Sequence, residues 1–293
     1  MSAQERLGFI GLGNMGGAIA LRLRRAGFDL TVYDLVREKM QPLLREGAKE
    51  AAAPAQVAER STIVLASLQA KDVEEVVRGD RGIDKGAKPG MIFVDLSSTA
   101  PELAVRLSTA LRRERIEMLD SPVSGADIGA SNGKLTLFVG GAYGAFQRSL
   151  PVLQSVGYRV TYLGKNGNGQ LGKIINEMMQ TFSQLAIYEG LQLAEKMGLD
   201  LKMFARAASA GCAQSWRLDE LVNGVFNRGE TPYRLNLRSE RTGRALELAK
   251  QNGIALPGAE AMHRLFGERD WRVVIDFDLA KILAPRKNHI DSR

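Results

Sequence analysis

Three glycines at positions 11, 13 and 16 spell G-x-G-x-x-G (GLGNMG), directly after an apolar run at residues 7–10 and directly before a run of helical period. Each has a physical use there: Gly11 permits a tight turn, Gly13 lets the backbone approach a pyrophosphate, and Gly16 allows close packing of helix on strand. The unpaired N–H groups at the start of the helix then face the phosphates. Gly11, Leu12, Gly13, Asn14, Met15 and Gly16 are therefore read as a dinucleotide-binding loop. Asp34 ends the next strand, where it can accept hydrogen bonds from both ribose hydroxyls and repel a 2′-phosphate. That favours NAD, with NADP as the alternative because Arg37 in the following turn could meet a phosphate.

A second constellation able to do chemistry lies at 173–180. Residues 167–197 carry a helical period, with GNG at the start and Gly198 closing it. Lys173, Asn176, Glu177 and Gln180 stand at i, i+3, i+4 and i+7, so a lysine, two amides and a carboxylate share one stripe. Leu171, Ile175, Met178, Phe182 and Leu185 recur on another side, and the pattern predicts that side, with Met179, to be buried and the polar stripe to be wet. A helix this long is expected to be a spine between two lobes.

The elements that must position these residues follow from periodicity. Apolar runs at 7–10, 30–33, 63–68 and 92–96 alternate with helical stretches, among them 15–25, 38–45 and 99–113, the last with Pro101 near its start. This rhythm predicts a parallel, doubly wound sheet. Further strands are expected at 116–119, 135–139 and 158–162. After Gly164 helices take over: the spine, then 201–209, 216–222, 242–252, 258–266 and 275–283. The predicted fold is α/β: an N-terminal Rossmann dinucleotide-binding domain over residues 1–165 and an all-α C-terminal domain over 166–293, joined by the long interdomain helix.

Composition excludes several classes of function. The formal net charge of +7 comes from lysines and arginines interleaved with acids rather than gathered into a patch, which argues against a nucleic-acid partner. Cys212 is the only cysteine, so an internal disulfide and a cysteine metal cluster are excluded, which fits a reducing compartment. Nothing nearby marks it as activated, and it is expected to be packed. With His263 and His289 the only histidines, no metal site is expected. No apolar run approaches the roughly 18 residues of a membrane span, and no leader pattern precedes the first strand, so a cytoplasmic protein is expected. Trp216 and Phe226, in apolar helical surroundings, are expected in the core.

Four stations in order resemble the β-hydroxyacid dehydrogenases of the 3-hydroxyisobutyrate dehydrogenase type, over nearly the whole chain. GFIGLGNMG (8–16) is similar to the family's cofactor loop, and VDLSST (94–99) to the segment that reaches the nicotinamide ribose. DSPVSGADIGASNGKLTLFVGG (120–141) resembles its substrate signature, and GNGQLGKIIN (167–176) its catalytic-lysine motif. The resemblance implies an NAD(P)-dependent oxidoreductase interconverting a 3-hydroxy acid and its semialdehyde or keto form in an interdomain cleft. It implies Lys173 as general acid and base, since an alcohol gives up its hydroxyl proton as hydride leaves its carbon. Ser124, Gly125 and Ala126 would hold the substrate's acid group, and Asn176 would orient ligand or lysine. Leu68, Gln69 and Ser98 would line the cofactor beside the glycine loop. A homodimer or homotetramer is also implied.

The departures from the family pattern fall on acids. Glu177 stands where a second amide is usual; an ion pair with Lys173 one turn away is its plain reading. Turned into the site, it would oppose an anionic substrate unless it met a cation or a proton. In YRLNLRSER (233–241) the family's usual Lys-Asp is replaced by Glu240 and Arg241, which puts a negative group where a positive one is expected near the nicotinamide. Gln69 replaces a common proline. These acids suggest a substrate carrying an amino group or extra hydroxyls. The alternatives are an imine reductase-like enzyme, which usually lacks the lysine, and a catalytically silent dinucleotide-binding module.

Overall fold

The structure, a computed structural model, describes residues 5–125, 133–227 and 239–267. It divides into two compact units, Met1–Lys173 and Ile174–Arg293.

The first unit alternates strand and helix. Its elements are β1 (Arg6–Ile10), α1 (Asn14–Arg25), β2 (Asp29–Tyr33), a 3-10 turn (Arg37–Met40) leading into α2 (Gln41–Arg45), β3 (Lys49–Glu50), α3 (Pro54–Arg60) and β4 (Ile63–Ala66). There follow α4 (Val73–Arg78), α5 (Ile83–Gly86), β5 (Ile92–Asp95), α6 (Pro101–Arg113), β6 (Glu117–Asp120), β7 (Val123–Ser124), β8 (Thr136–Gly141), α7 (Tyr143–Val156), β9 (Arg159–Gly164) and the start of α8 (Asn168–Lys196). The strands form one sheet in the order β3-β2-β1-β4-β5-β6-β8-β7, with β9 also beside β8. β1 to β6 pair in parallel, whereas β6 and β7 both run antiparallel to β8, in one register from Leu119↔Gly141 to Ser124↔Thr136.

Two-residue alternation explains why both faces of this sheet are dry. Leu7 and Phe9, Ile63 and Leu65, Ile92 and Val94 join one apolar layer with Ile19 and Leu23 of α1. Ile10, Val64 and Phe93 join the other with Val57, Leu107 and Leu111 from α3 and α6. Strands covered on both faces by helices read as continuous apolar runs, as these do. α6 begins at Pro101 rather than at 99, because residues 98–99 stay in the loop that follows β5.

The second unit is helical among its described residues: the rest of α8, then α9 (Leu201–Ala210), α10 (Trp216–Leu221) with a π turn (Val222–Asn227), α11 (Ser239–Gln251) and α12 (Pro257–Gly267). Asp200 and Ser215 cap α9 and α10, accepting the N–H groups of Met203 and Leu218. Ile187, Leu191, Ala194, Leu201, Ala205, Leu218 and Leu221 form its core. The expected helix at 275–283 and the Phe226 side chain lie outside the described residues.

Three sequence expectations are corrected here. The expected faces of α8 fail in part: Ile175, Met179 and Phe182 are 49%, 63% and 36% exposed and Glu177 is buried with Gln170, Thr181 and Gln184, whereas Leu171, Met178 and Leu185 on the expected dry side and Lys173, Asn176 and Gln180 on the expected wet one are all partly buried. The reason is that Gln170, Glu177 and Thr181 find specific partners: backbone groups at residues 97 and 99, Arg244, and the Glu177 carbonyl. A hydrogen-bonded polar side chain can be buried, and a hydropathy pattern cannot see the partner. Trp216 is half exposed, with the Arg217 guanidinium lying over its ring. Cys212 is exposed rather than packed, in the turn between α9 and α10.

Candidate active site

The carboxyl ends of the parallel strands are level. Tyr33, Ile10, Ala66, Asp95 and Asp120 stand side by side in register. The next residues are stitched across by backbone bonds, Gly11 N–H to Tyr33, Ser67 N–H to Ile10, Leu96 N–H to Ala66 and Ser121 N–H to Asp95. The loops carrying Gly11–Gly16, Asp34, Leu68–Gln69 and Ser98 therefore leave one edge of the sheet, the edge where open α/β sheets bind ligands.

The glycine loop fits a pyrophosphate. Gly11 has φ +87°, and a Cβ on Gly16 would lie 2.0 Å from the Gly11 carbonyl oxygen, so neither position tolerates a side chain. A Cβ on Gly13 would meet nothing within 4 Å. Gly13 begins α1 and no side chain caps it, so the first N–H groups of that helix, from Asn14 and Met15, are left for an anion. Asp34, with its side chain 9% exposed, accepts the Leu12 N–H at 2.6 Å and the Val36 N–H at 2.8 Å. One carboxylate thus ties the glycine loop to the end of β2. Arg37 does not point a free guanidinium at this place; its Nε and Nη2 lie on the two carboxylate oxygens of Glu50, at 2.9 and 3.3 Å.

Deeper along the edge a buried polar network joins three loops to the first turn of α8. The Asp120 carboxylate accepts the N–H groups of Gly167 at 2.8 Å and Gln170 at 3.1 Å, and so caps that helix. Asp95 Oδ1 accepts the Ser97 N–H, and Ser97 Oγ accepts the Leu68 N–H. Burial pushes the Asp95 carboxyl up to about 7, opposed by its bonds from Ser97 and assisted by the nearby Asp120 charge; burial likewise raises Asp120. Asp95 Oδ2, Thr99 Oγ1 and Ser121 Oγ are buried without a protein partner, as suits a carboxyl that keeps its proton.

Stability should follow from this. The folded chain keeps a proton on Asp95 that the unfolded chain releases in the ordinary carboxylate range, so this group's contribution falls between about pH 4 and pH 7 and is flat above. Asp95→Asn should remove the fall. Its stability relative to the parent, from urea unfolding, should rise across that window by on the order of 4 kcal/mol. A difference independent of pH would refute the assignment.

Lys173 lies in the second turn of α8, partly buried, with Asn176 one turn on. Ser124 sits in β7 opposite Thr136, and Gly125 follows with φ +139°. α8 and β7 meet the same strand: positions 169 and 172 of α8 lie against Phe138 of β8, two residues from Thr136. Ala126 lies outside the described residues. Glu177 is 7% exposed and pairs with Arg244 of α11 at 2.9 Å. Glu240, 71% exposed in its side chain, lies 3.9 Å from the same guanidinium, and Arg241 donates to Gln180 at 3.2 Å.

Asp95, Asp120, Gln170 and Arg244 were not identified from sequence. An acid ending an otherwise apolar strand occurs twice, in IFVD and EMLD, and is the signal that could have found the first two.

The geometry can be set beside known proteins. Residues 6–164 match the NAD binding domain of 6-phosphogluconate dehydrogenase, and residues 167–284 the NAD-binding domain of NADP-dependent 3-hydroxyisobutyrate dehydrogenase. The chain is 33% identical to a probable mitochondrial 3-hydroxyisobutyrate dehydrogenase of Dictyostelium discoideum, over 94% of this chain and 91% of that one. It is 34% identical to the 2-hydroxy-3-oxopropionate reductase of Escherichia coli, over 89% and 90%. A crystal structure of 3-hydroxyisobutyrate dehydrogenase from Salmonella typhimurium superposes with a TM-score of 0.76 at 27% identity, covering 95% of this chain and all of that one. An imine reductase from Myxococcus stipitatus reaches a TM-score of 0.59 at 23% identity, over 90% and 93%, a likeness of fold alone.

Proposed function

The chain belongs to the β-hydroxyacid dehydrogenase family, and from that premise we propose which of its residues carry the reaction. The enzyme is an NAD(P)-dependent oxidoreductase of the 3-hydroxyisobutyrate dehydrogenase type. Residues 1–165 are assigned to dinucleotide binding and 166–293 to the helical domain. Gly11–Gly16 and Asp34 hold the pyrophosphate and adenosine ribose, and Leu68, Gln69 and Ser98 line the remainder. Ser124, Gly125 and Ala126 hold the acid group of the substrate, Asn176 orients it, and Lys173 moves the proton. The observation that supports this best is the tie between the helix bearing Lys173 and the loop bearing Ser98, made by Gln170.

When bound, the nicotinamide takes up or supplies the hydride. Lys173 accepts the hydroxyl proton on oxidation, and its ammonium returns a proton to the oxygen on reduction. Holding the acid group at Ser124 fixes the reacting carbon, which turns much of the encounter into a single oriented step.

The Glu177–Arg244 pair alters the expected substrate. The acid is matched by a guanidinium, so it gives no reason to seek a substrate bearing an amino group, and a small 3-hydroxy carboxylate is the class proposed. The test is turnover of 3-hydroxyisobutyrate, 2-hydroxy-3-oxopropionate and 2-(hydroxymethyl)glutarate, followed by nicotinamide absorbance. No turnover across that panel, with cofactor bound, would return the reading to a silent dinucleotide-binding module.

NAD should be preferred. Asp34 meets a 2′-phosphate with its own charge, which Lys39 at 3.8 Å offsets only in part, and Arg37 is paired with Glu50. We expect kcat/KM at least about tenfold higher with NAD than with NADP, and Asp34→Ala to narrow the gap. Equal values in the parent would sink the preference.

A homodimer or homotetramer in the cytoplasm completes the proposal. No helix among the described residues is long and apolar enough to cross a membrane. Ile175, Met179, Phe182 and Leu193 are exposed, and their spacing brings them to one side of α8 at 3.6 residues per turn. Met179→Glu should shift sedimentation toward smaller species; a parent that is monomeric at micromolar concentration would refute the oligomer.

A further inference from the structure

We propose that Gln170 is a positioning residue that holds the loop around Ser98 and the catalytic-lysine turn of α8 as one piece. The proposal rests on the assignment of Lys173 above. Gln170 is 1% exposed. Its Nε2 donates to the Ser97 carbonyl at 2.8 Å, and its Oε1 accepts the Thr99 N–H at 3.0 Å. A carboxamide has one donor edge and one acceptor edge, so it pairs with these two backbone groups much as a neighbouring strand would.

The clamp closes on either side of one residue. Ser97 and Thr99 are each 4% exposed, and Ser98 between them is partly exposed. Pinning its neighbours fixes how Ser98 is presented at the sheet edge. Ser97 also accepts the Leu68 N–H through Oγ at 2.9 Å, so the clamp extends to the loop after β4. At its other end the Gln170 N–H is anchored on Asp120. Lys173 follows at i+3, on the same side of the helix.

The consequence is mechanical. Hydride and proton leave or reach the same carbon–oxygen group, so the loop that sets the nicotinamide and the turn that sets the amine must keep one mutual distance. A misplacement of about 1 Å costs about a hundredfold in rate. A side chain that only filled space could be replaced by methionine at little cost; one that bonds two backbone groups cannot.

The test uses the full chain and two probes, NADH and ADP-ribose, which lacks the nicotinamide. For Gln170→Met we expect ADP-ribose affinity within about twofold of the parent, NADH affinity weaker by about tenfold, and kcat lower by about 10- to 100-fold. Affinities for both probes that stay at parental values, or that fall together, would overturn the proposal. Gln170→Glu adds a reading that packing alone would not move. Ionised, it repels the Ser97 carbonyl; protonated, it regains a donor, so NADH affinity should recover toward acid pH while ADP-ribose affinity does not change. Hydrogen exchange of the Thr99 amide in the parent needs no variant, and exchange as fast as in an open loop would also overturn the proposal. Lys173→Ala should leave both affinities alone, so a failure of the lysine assignment shows in its turnover and is distinct from a failure of the clamp.

Discussion

Lys173→Ala is expected to lower kcat by roughly a thousandfold on whichever 3-hydroxy acid of the panel the parent turns over, with NADH binding unchanged within about twofold. The amine sits in the second turn of a helix whose first turn is fixed by Asp120 and Gln170, so its loss removes the proton donor without releasing the scaffold. Lys173→Arg separates two explanations of that loss. A guanidinium keeps the positive charge but does not give up its proton near neutral pH, so a purely electrostatic role would survive the change and a proton-transfer role would not. We expect the arginine variant to be nearly as slow as the alanine one. Partial rescue of Lys173→Ala by methylamine would identify the missing group as an amine. Retention of more than a tenth of parental kcat by Lys173→Ala would remove the lysine from the chemistry.

The part of this site built from backbone was readable in the sequence. A glycine spacing between an apolar run and a helical one fixes the dinucleotide loop, because only a turn at Gly11 and a close approach at Gly16 satisfy that geometry. Fully apolar strands likewise announce a sheet covered on both faces. What depends on partners distant in sequence was not readable. Glu177 pairs with Arg244, 67 residues on, a partner that no local spacing announces. Nothing local singles out Gln170, because its role depends on a loop more than 70 residues earlier. The exposure of Ile175 and Phe182 and the burial of Glu177 on α8 have the same origin: periodicity ranks residues by hydropathy, but a polar side chain with a satisfied partner is free to turn inward.

The second large effect is expected at Asp120. Asp120→Ala should cost about 3 kcal/mol in urea unfolding and lower kcat as well. Its two oxygens accept the N–H groups of Gly167 and Gln170, two of the backbone donors that a helix start leaves unpaired. Each such donor, buried and deprived, costs about 1–3 kcal/mol. The sum is not fully realised, because the variant also relieves the burial penalty that raises the Asp120 carboxyl. Asp120→Asn should do little better, since an amide turns a donor toward one of the two N–H groups. Gly169→Ala probes the same junction from the helix side: its Cβ would lie 2.3 Å from the Asp120 carbonyl oxygen and 2.4 Å from that of Phe138, so α8 would have to lift off the strands. If the cap at Asp120 seats the helix, the cap variant and the glycine variant should lower stability and kcat together, with NADH affinity falling more than ADP-ribose affinity. An Asp120→Ala protein within about 1 kcal/mol of the parent would mean that the strand contacts alone seat α8.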